Sequence, residues 1–433
     1  MAKKKQELTP EERLAAALVP EEEQPYQLPE GWKWVRLGKI YDVNPKVQAD
    51  DDLEASFITM SDICPGMKSQ FDSSTQKWGE IKRGHTQFAN GDVAFAKISP
   101  CFENRKSMIL DGLKNGIGAG TTELIVLRNS QIDNKYTFLF VSSEEFIRRA
   151  RNTYKGVVGQ QRINLDFVKN YPMPLPPRAE QKRIVARIES LFAKLDDAKE
   201  KVQGVLDAYE TRKAALLHDA FTGKLTAKCQ EKNKASGYPK EPLGNFVETQ
   251  YGYTEKSSFD AAGPYYLRIT DIQEDKVDWN HVPHCLIDAA DYEKYKLKNN
   301  DIVVARTGAT TGKSFIIHEA NDINAVFASY LIRVQVTNQR LLPGFLYLFF
   351  QSQEYWSQIM ELSSGIAQPG VNARKLQSLL ISIPTISEQQ EIVRILDQLL
   401  GREEQVRQSV ESVLESIDCM KQSILARAFR GEL

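Results

Sequence analysis

Along residues 178–225 apolar side chains recur on two seams with a period of seven. One seam is Ile188, Leu195, Val202, Tyr209 and Leu216. The other lies four residues ahead and runs through Ile184, Leu191, Ala198, Val205 and Arg212. Only Arg212 breaks the pattern, which is that of a coiled-coil helix. About 42 residues at 1.5 Å each predict a rod of roughly 63 Å, too long for one small domain to cover. Such a helix requires a partner, and the chain supplies one. Shifted by 208 residues and without a gap, Pro176, Glu180, Gln181, Ile184 and Leu191 return as Pro384, Glu388, Gln389, Ile392 and Leu399. Leu217, Ala220, Phe221, Gly223 and Leu225 likewise return as Leu425, Ala428, Phe429, Gly431 and Leu433. In the second helix Leu396, Val410, Ile417 and Ile424 form one seam, with Glu403 the exception. Ile392, Leu399, Val406, Val413 and Met420 form the other. Two matching helices in one chain predict one antiparallel pair, and the exceptions at Arg212 and Glu403 are worth testing as places where the seams meet another protein.

The remaining pattern is shorter-ranged. In residues 28–177, Trp32, Trp34, Val35, Leu37 and Ile40 are followed by runs with strand character: Ser56–Met60, Asp92–Ile98 and Glu123–Leu127. Turn pairs such as Gly91-Asp92 and Asn115-Gly116 separate them, and a helical stretch covers Lys135–Arg151. Residues 242–385 repeat this order. Pro242-Leu-Gly-Asn-Phe246 answers Arg36-Leu-Gly-Lys-Ile40, Asp301–Arg306 answers Asp92–Lys97, and Ser329-Tyr-Leu-Ile332 answers Thr122-Glu-Leu-Ile125. The fold class is therefore α+β: two pseudo-repeated α+β domains separated by an antiparallel coiled coil of two long helices. The pattern does not alternate strand and helix, which speaks against a doubly wound nucleotide-binding sheet. The division is a tail (1–27), a first domain (28–177), a helix (178–225), a polar linker (226–241), a second domain (242–385) and a last helix (386–433). In the tail, Thr9 before Pro10 predicts a short helix. Too few apolar residues accompany it to anchor it, so it reads as a loosely held arm.

Composition and charge refine this picture. No apolar run is long enough to span a membrane, and Cys64, Cys101, Cys229, Cys285 and Cys419 are scattered without a CxxC pair. Both features fit a cytoplasmic protein with no membrane partner. The net charge of -1 conceals an asymmetry: residues 28–177 carry 20 basic and 17 acidic groups, whereas residues 241–385 carry 12 and 16. The first domain is thus the better electrostatic match to nucleic acid.

Catalytic signatures are missing. Gly308-Ala-Thr-Thr-Gly312-Lys313-Ser314 has one residue too few between its glycines for a phosphate-binding loop. His281-Val-Pro-His284-Cys285 lacks a second ligand cluster, and no methyltransferase tetrapeptide, nucleophile elbow or nuclease arrangement is present. The chain is expected to catalyse nothing, and recognition remains. Each domain offers two polar, basic loops as candidate DNA contacts. In the first domain these are Lys97, Ser99, Asn104, Arg105 and Lys106, then Gln160, Gln161 and Arg162. In the second they are Arg306, Thr307, Thr310 and Lys313, then Gln368, Asn372, Arg374 and Lys375. Such side chains on glycine-containing loops suit phosphates and base edges, while Gln160, Gln368, Asn164 and Asn372 equally suit bracing a turn.

Taken together, the repeat, the stretches Asp92–Asn104 and Ala305–Lys313, and the Pro-x-x-x-Glu-Gln opening of both helices resemble the specificity subunit of a Type I restriction-modification system. The resemblance covers residues 28–433. It implies two target recognition domains, each reading half of a split double-stranded DNA sequence, with the helix pair spacing them and docking two modification subunits. It also implies no cofactor in this chain. S-adenosylmethionine belongs to the modification subunits, and ATP and Mg to the restriction (motor and nuclease) subunits. The competing reading is a coiled-coil scaffold with two peptide-binding domains.

Overall fold

The computed structural model describes residues 9–157, 159–226, 238–273, 276–318, 323–363 and 370–433. The chain divides into two bodies: residues up to Lys201 together with Ser412–Leu433, and Val202–Glu411. In the first, the strands are β1 (Lys33–Arg36), β2 (Asp42–Val43), β3 (Glu54–Ile58), β4 (Ser74–Lys77), β5 (Thr86–Ala89), β6 (Val93–Ala96), β7 (Ser107–Ile109), β8 (Ile117–Gly120), β9 (Leu124–Arg128) and β10 (Pro172–Leu175). One sheet has the order β2-β9-β6-β7, a second β4-β3-β8-β5, and β1 pairs with β10. All four residues of β6 are buried, as the uninterrupted run Val93-Ala-Phe-Ala96 requires of a strand covered on both faces. The helical stretch divides into Asn134–Val141 and Glu144–Arg151, because Ser143 caps a new start by accepting from Phe146 N.

The second body repeats this plan with β11 (Lys240–Pro242), β12 (Val247–Tyr251), β13 (Ser257–Ser258), β14 (Tyr265–Leu267), β15 (Ile272–Gln273), β16 (Lys276–Val277), β17 (His284–Cys285), β18 (Ile302–Ala305), β19 (Ser314–Ile316), β20 (Ala325–Phe327), β21 (Leu331–Val336) and β22 (Leu380–Ser382). The order β12-β21-β18-β19 reproduces the first sheet, and β11 pairs with β22 as β1 does with β10. The outer sheets diverge. Both keep one parallel pair, β3 with β8 and β14 with β20, but the second is ordered β13-β17-β14-β20 and carries an extra β15-β16 hairpin. The aspartate that opens the central strand is structural in both. Asp92 accepts from Ala89 N at 2.7 Å and from the Arg128 fork at 2.6 and 2.7 Å. Asp301 accepts from Lys298 N at 2.9 Å, from Gln335 at 2.8 Å and from Arg333 at 3.4 Å.

The Glu-Gln opening of each long helix has a similar explanation. Gln181 donates to Pro176 O at 2.9 Å and accepts from Asp133 N at 2.8 Å, tying the helix start to the start of the helix at Asn134. Gln389 does the same with Pro384 O and Leu342 N. Both glutamines are buried. Each core is then closed by the far end of the other long helix. Ile184, Val185 and Ile188 share the first core with Leu425, Ala428 and Phe429. Ile392 and Leu396 share the second with Leu217, Ala220 and Phe221.

The helices pair antiparallel. In the first body Lys199 meets Asp418 at 2.9 Å and Asp196 meets Lys421 at 2.5 Å, so three residues back along one helix match three forward along the other. Four expectations are corrected here. Arg212 and Glu403 meet each other, at 2.9 Å, and so are one ion pair across the helix pair and not two separate breaks in its seams. The first helix is two segments, Arg178–Asp207 and Tyr209–Phe221, where the last is unbroken from Ile386 to Arg430. Arg212 also donates to Val205 O at 3.3 Å, placing a side-chain donor on a carbonyl of the turn before the joint, close to Gly204. The two seams of the last helix are covered unequally: Leu396 and Ile417 are buried and Val410 and Ile424 half-buried along one, whereas Val406, Val413 and Met420 of the other are exposed.

The fourth correction concerns the tail, which is anchored. Pro10–Ala17 is a helix with a capping box between Thr9 and Glu12, and Arg13 pairs with Asp42 at 2.7 Å. Ala17 and Val19 are buried, and Val19 N donates to Trp34 O. Tyr26 lies edge-on to Trp34 and donates its hydroxyl to Phe429 O at 3.1 Å, satisfying a carbonyl at the end of the last helix. Burial pushes its phenol up to about 12. Gly431, at φ +77°, leaves room for Pro29, which a Cβ there would meet at 2.2 Å. The linker residues 227–237 lie outside the described residues.

Candidate nucleic-acid interface

In the first body the two candidate loops are joined through their backbones. Ser99 N donates to Gln161 O at 2.8 Å and Ile163 N to Lys97 O at 3.0 Å, while Lys97 N donates to Glu123 O at 2.8 Å. Phe102, buried against Phe95 and Phe146, anchors the first loop from below. The candidate residues then separate by what their side chains do. Arg105 is tied to Glu144 and donates to Ser142 O, and Lys106 donates to Met60 O at 2.7 Å. Both hold the loop in place. Asn104 and Gln160 are exposed, and Lys97, Ser99 and Gln161 are half-buried around them. Arg162 forks onto Glu123 at 2.8 and 2.9 Å, which raises its guanidinium pKa through that hydrogen bond. Lys155, opposite Arg162 in the same hairpin, is exposed beside them and escaped the sequence-based selection.

The second body reproduces the backbone links at the same corner. Arg306 N donates to Tyr330 O at 3.1 Å and Val371 N to Arg306 O at 2.9 Å. Arg306 therefore stands where Lys97 stands, and Tyr330 where Glu123 stands. Arg306 lies over the Tyr251 ring at 4.8 Å, and the Tyr251 hydroxyl accepts from Ala373 N at 3.2 Å. Tyr330 is 63% exposed, Thr307 and Arg374 are exposed, and Thr310 is half-buried. Asn372 caps the helix Ala373–Ser378 through Lys375 N, much as Asn164 caps Leu165–Asn170. Lys375 donates to Leu362 O and Gly370 O. Gln368 lies outside the described residues. Lys313 is turned elsewhere, lining a cavity of about 410 Å³ with Glu210, Lys213 and Trp356. The glycine-containing stretch ending at Lys313 connects antiparallel strands β18 and β19, with Gly312 against Trp356 and Tyr355 donating to its carbonyl. Sequence reading missed Tyr251 and Tyr330. The signal was present for Tyr330, since the matched segments at 122–125 and 329–332 set a tyrosine against a glutamate.

Among the described residues no three histidine, cysteine or acidic side chains are grouped to hold a metal ion. His281 pairs with Asp278, and His284 stacks on Tyr265 at 4.6 Å. Among the described residues no helix is long and apolar enough to cross a membrane.

Comparison with known proteins agrees with the repeat. The profile described as the Type I restriction modification DNA specificity domain matches twice, over residues 29–205 and 254–412. The chain belongs to this family. Among curated relatives, it is 29% identical to the Type I restriction enzyme EcoAI specificity subunit of Escherichia coli, over 88% of this chain and 80% of that protein. It is 41% identical to the EcoEI specificity subunit of the same species over 46% of this chain and 34% of that one. The fold is shared with a chain from a structure of complex assembly and conformational transition in the type I R-M system, at TM-score 0.71, 20% identity and coverage of 94% and 100%. It is also shared with the HsdS subunit from Thermoanaerobacter tengcongensis, at TM-score 0.59, 20% identity and coverage of 95% and 100%. The chain is accordingly a DNA target-recognition subunit and not itself an enzyme, and the peptide-binding scaffold is set aside.

Proposed function

We propose that each body reads one half of a split double-stranded target through the corner where its two loops meet. The contacts are Lys97, Ser99, Asn104, Gln160, Gln161 and Arg162 in one body, and Arg306, Thr307, Thr310 and Arg374 in the other. The observation that carries this reading is the recurrence of one backbone-bonded corner in both bodies, with Asn104, Gln160 and Arg162 exposed at one and Thr307, Tyr330 and Arg374 at the other. Arg105, Lys106, Lys375 and Asn372 position the corner, and Lys313 stands apart from it. Two modification subunits dock on the helix pair, to which Val406 in one body and Val413 with Met420 in the other present apolar surface. Those subunits bring S-adenosylmethionine and methylate adenine N6, and restriction subunits bring ATP and Mg. The assembly works in the cytoplasm.

Retardation of duplex DNA by the chain with its modification subunits tests the reading, and no retention at low salt sinks it. Exchanging residues 28–177 for those of a relative is expected to change one half-site only. One heptad inserted into both 188–209 and 396–417 lengthens each helix by about 10.5 Å, or about three base pairs. Methylome sequencing is then expected to show a longer spacer between unchanged half-sites.

A further inference from the structure

The two corners present different cations on one framework, and the difference has a chemical meaning. Lys97 carries a point charge on a flexible stem. Arg306 carries a planar fork, and its surroundings restrict where that fork lies. Its backbone is bonded on both sides, to Tyr330 O and from Val371 N. Its guanidinium lies over Tyr251, whose hydroxyl is held by Ala373 N at 3.2 Å. Among the described residues the guanidinium makes one side-chain hydrogen bond, a long one of 3.4 Å to Ser329 O, and its buried Nε makes none. An arginine has five donors, so a fork already held in place keeps most of them for a ligand. A phosphate contact needs only charge, which exposed Arg374 supplies. A stacked, oriented fork matches two acceptors in one plane, as the O6 and N7 of guanine present in the major groove.

We propose that Arg306, laid on Tyr251, reads a guanine in the half-site of the second body, with Tyr251 as its positioning residue and Arg374 as a phosphate contact. This rests on the reading that the corner meets DNA. Exposed Tyr330 and Thr307 lie beside the fork and face the same base pair or its neighbour.

The test uses the full chain with its modification subunits and duplexes carrying the wild-type target, in which each guanine is replaced in turn by 7-deazaguanine to remove N7. The wild-type complex is expected to lose roughly tenfold in affinity at one guanine of the half-site assigned to the second body. That loss disappears in Arg306→Lys, which keeps the charge and loses the fork. It shrinks in Tyr251→Leu and persists in Tyr251→Phe. Arg374→Gln weakens every duplex alike and lowers the salt slope by about 1. Arg306→Lys weakening all duplexes equally, or keeping the 7-deaza effect, overturns the assignment. A wild-type complex that retains no duplex removes the DNA reading of the corner altogether, a result distinct from either.

Discussion

At one corner of the first body Glu123 grips Arg162. At the same corner of the second, Tyr330 stands exposed and Gly370 occupies the place of Arg162. The backbone around both is alike: a strand-end carbonyl accepts from the cation's N–H, and the cation's carbonyl accepts from the returning loop. Framework and chemistry are thus carried by different atoms. Main-chain bonds and inward-facing side chains hold the corner, so the outward side chains are free to differ, and a recognition protein can change its target without changing its fold.

The framework half of that contrast gives the largest effect. Arg333 is buried with Asp301, donates to Lys296 O at 2.8 Å and Lys294 O at 3.1 Å, and also donates to Gln250. Burial lowers its pKa and raises that of Asp301. Arg333→Leu is expected to cost the second body about 3–5 kcal/mol. Arg128→Leu, which takes a more exposed arginine from Asp92, costs the first about 2 kcal/mol. Calorimetry of the full chain reads both, and equal small shifts would mean that other contacts hold the strand start. Deleting residues 1–31 comes next, with about 3 kcal/mol lost from the first body through Ala17, Val19 and Tyr26 and none from the second. A smaller change concerns the corner itself. Glu123→Gln releases Arg162 and is expected to steepen the salt dependence of DNA binding by about 1 in slope, measured from 50 to 200 mM salt; an unchanged slope would place Arg162 away from the phosphates.

The smallest effect lies in the helix pair. In the first body Asp196 and Lys199 pair across to Lys421 and Asp418, whereas their counterparts Glu404 and Arg407 pair along one helix. The hydrogen bond from Arg407 holds the Glu404 carboxyl down at about 2. A lowered carboxyl pKa stabilises the fold above the ordinary value of 4.5 and loses that contribution as pH falls toward 2. Glu404→Gln should therefore be less stable than wild type at pH 7 by at most about 1 kcal/mol after screening, and equal to it near pH 2. Denaturant titrations at the two pH values decide it.

Much of the fold was legible because its signals are periodic or repeated: the heptads, the all-apolar central strands, and the aspartate and Glu-Gln pairs that recur at 208 residues. What escaped depends on distant partners. No local pattern announces that Tyr26 will bond Phe429, and so the arm looked loose. A heptad shows that two seams are apolar without showing that a single partner helix leaves part of one bare. Arg212 and Glu403 are 191 positions apart in sequence, and only the antiparallel register makes two blemishes one ion pair. At the corners, residue type does not tell an anchored side chain from an open one. Arg105, Lys106 and Lys375 spend their donors on neighbouring carboxylate or carbonyl oxygens, a distinction invisible in residue type, while Tyr251 carries no charge to select it.

The exchange of helix ends has a consequence for gene length. A chain stopped after Leu225 would lack Ser412–Leu433 of the first body, and with it Leu425, Ala428 and Phe429 of that core, and would carry Leu217, Ala220 and Phe221 with nothing to close. Those residues have the same types at the same spacing. Two such half-length chains would each carry a helix end of the kind that the other's core lacks, each able to plug the gap in the other. A protein made by duplication has kept the joinery of a homodimer, and a half-length product would read a target whose two halves are the same word.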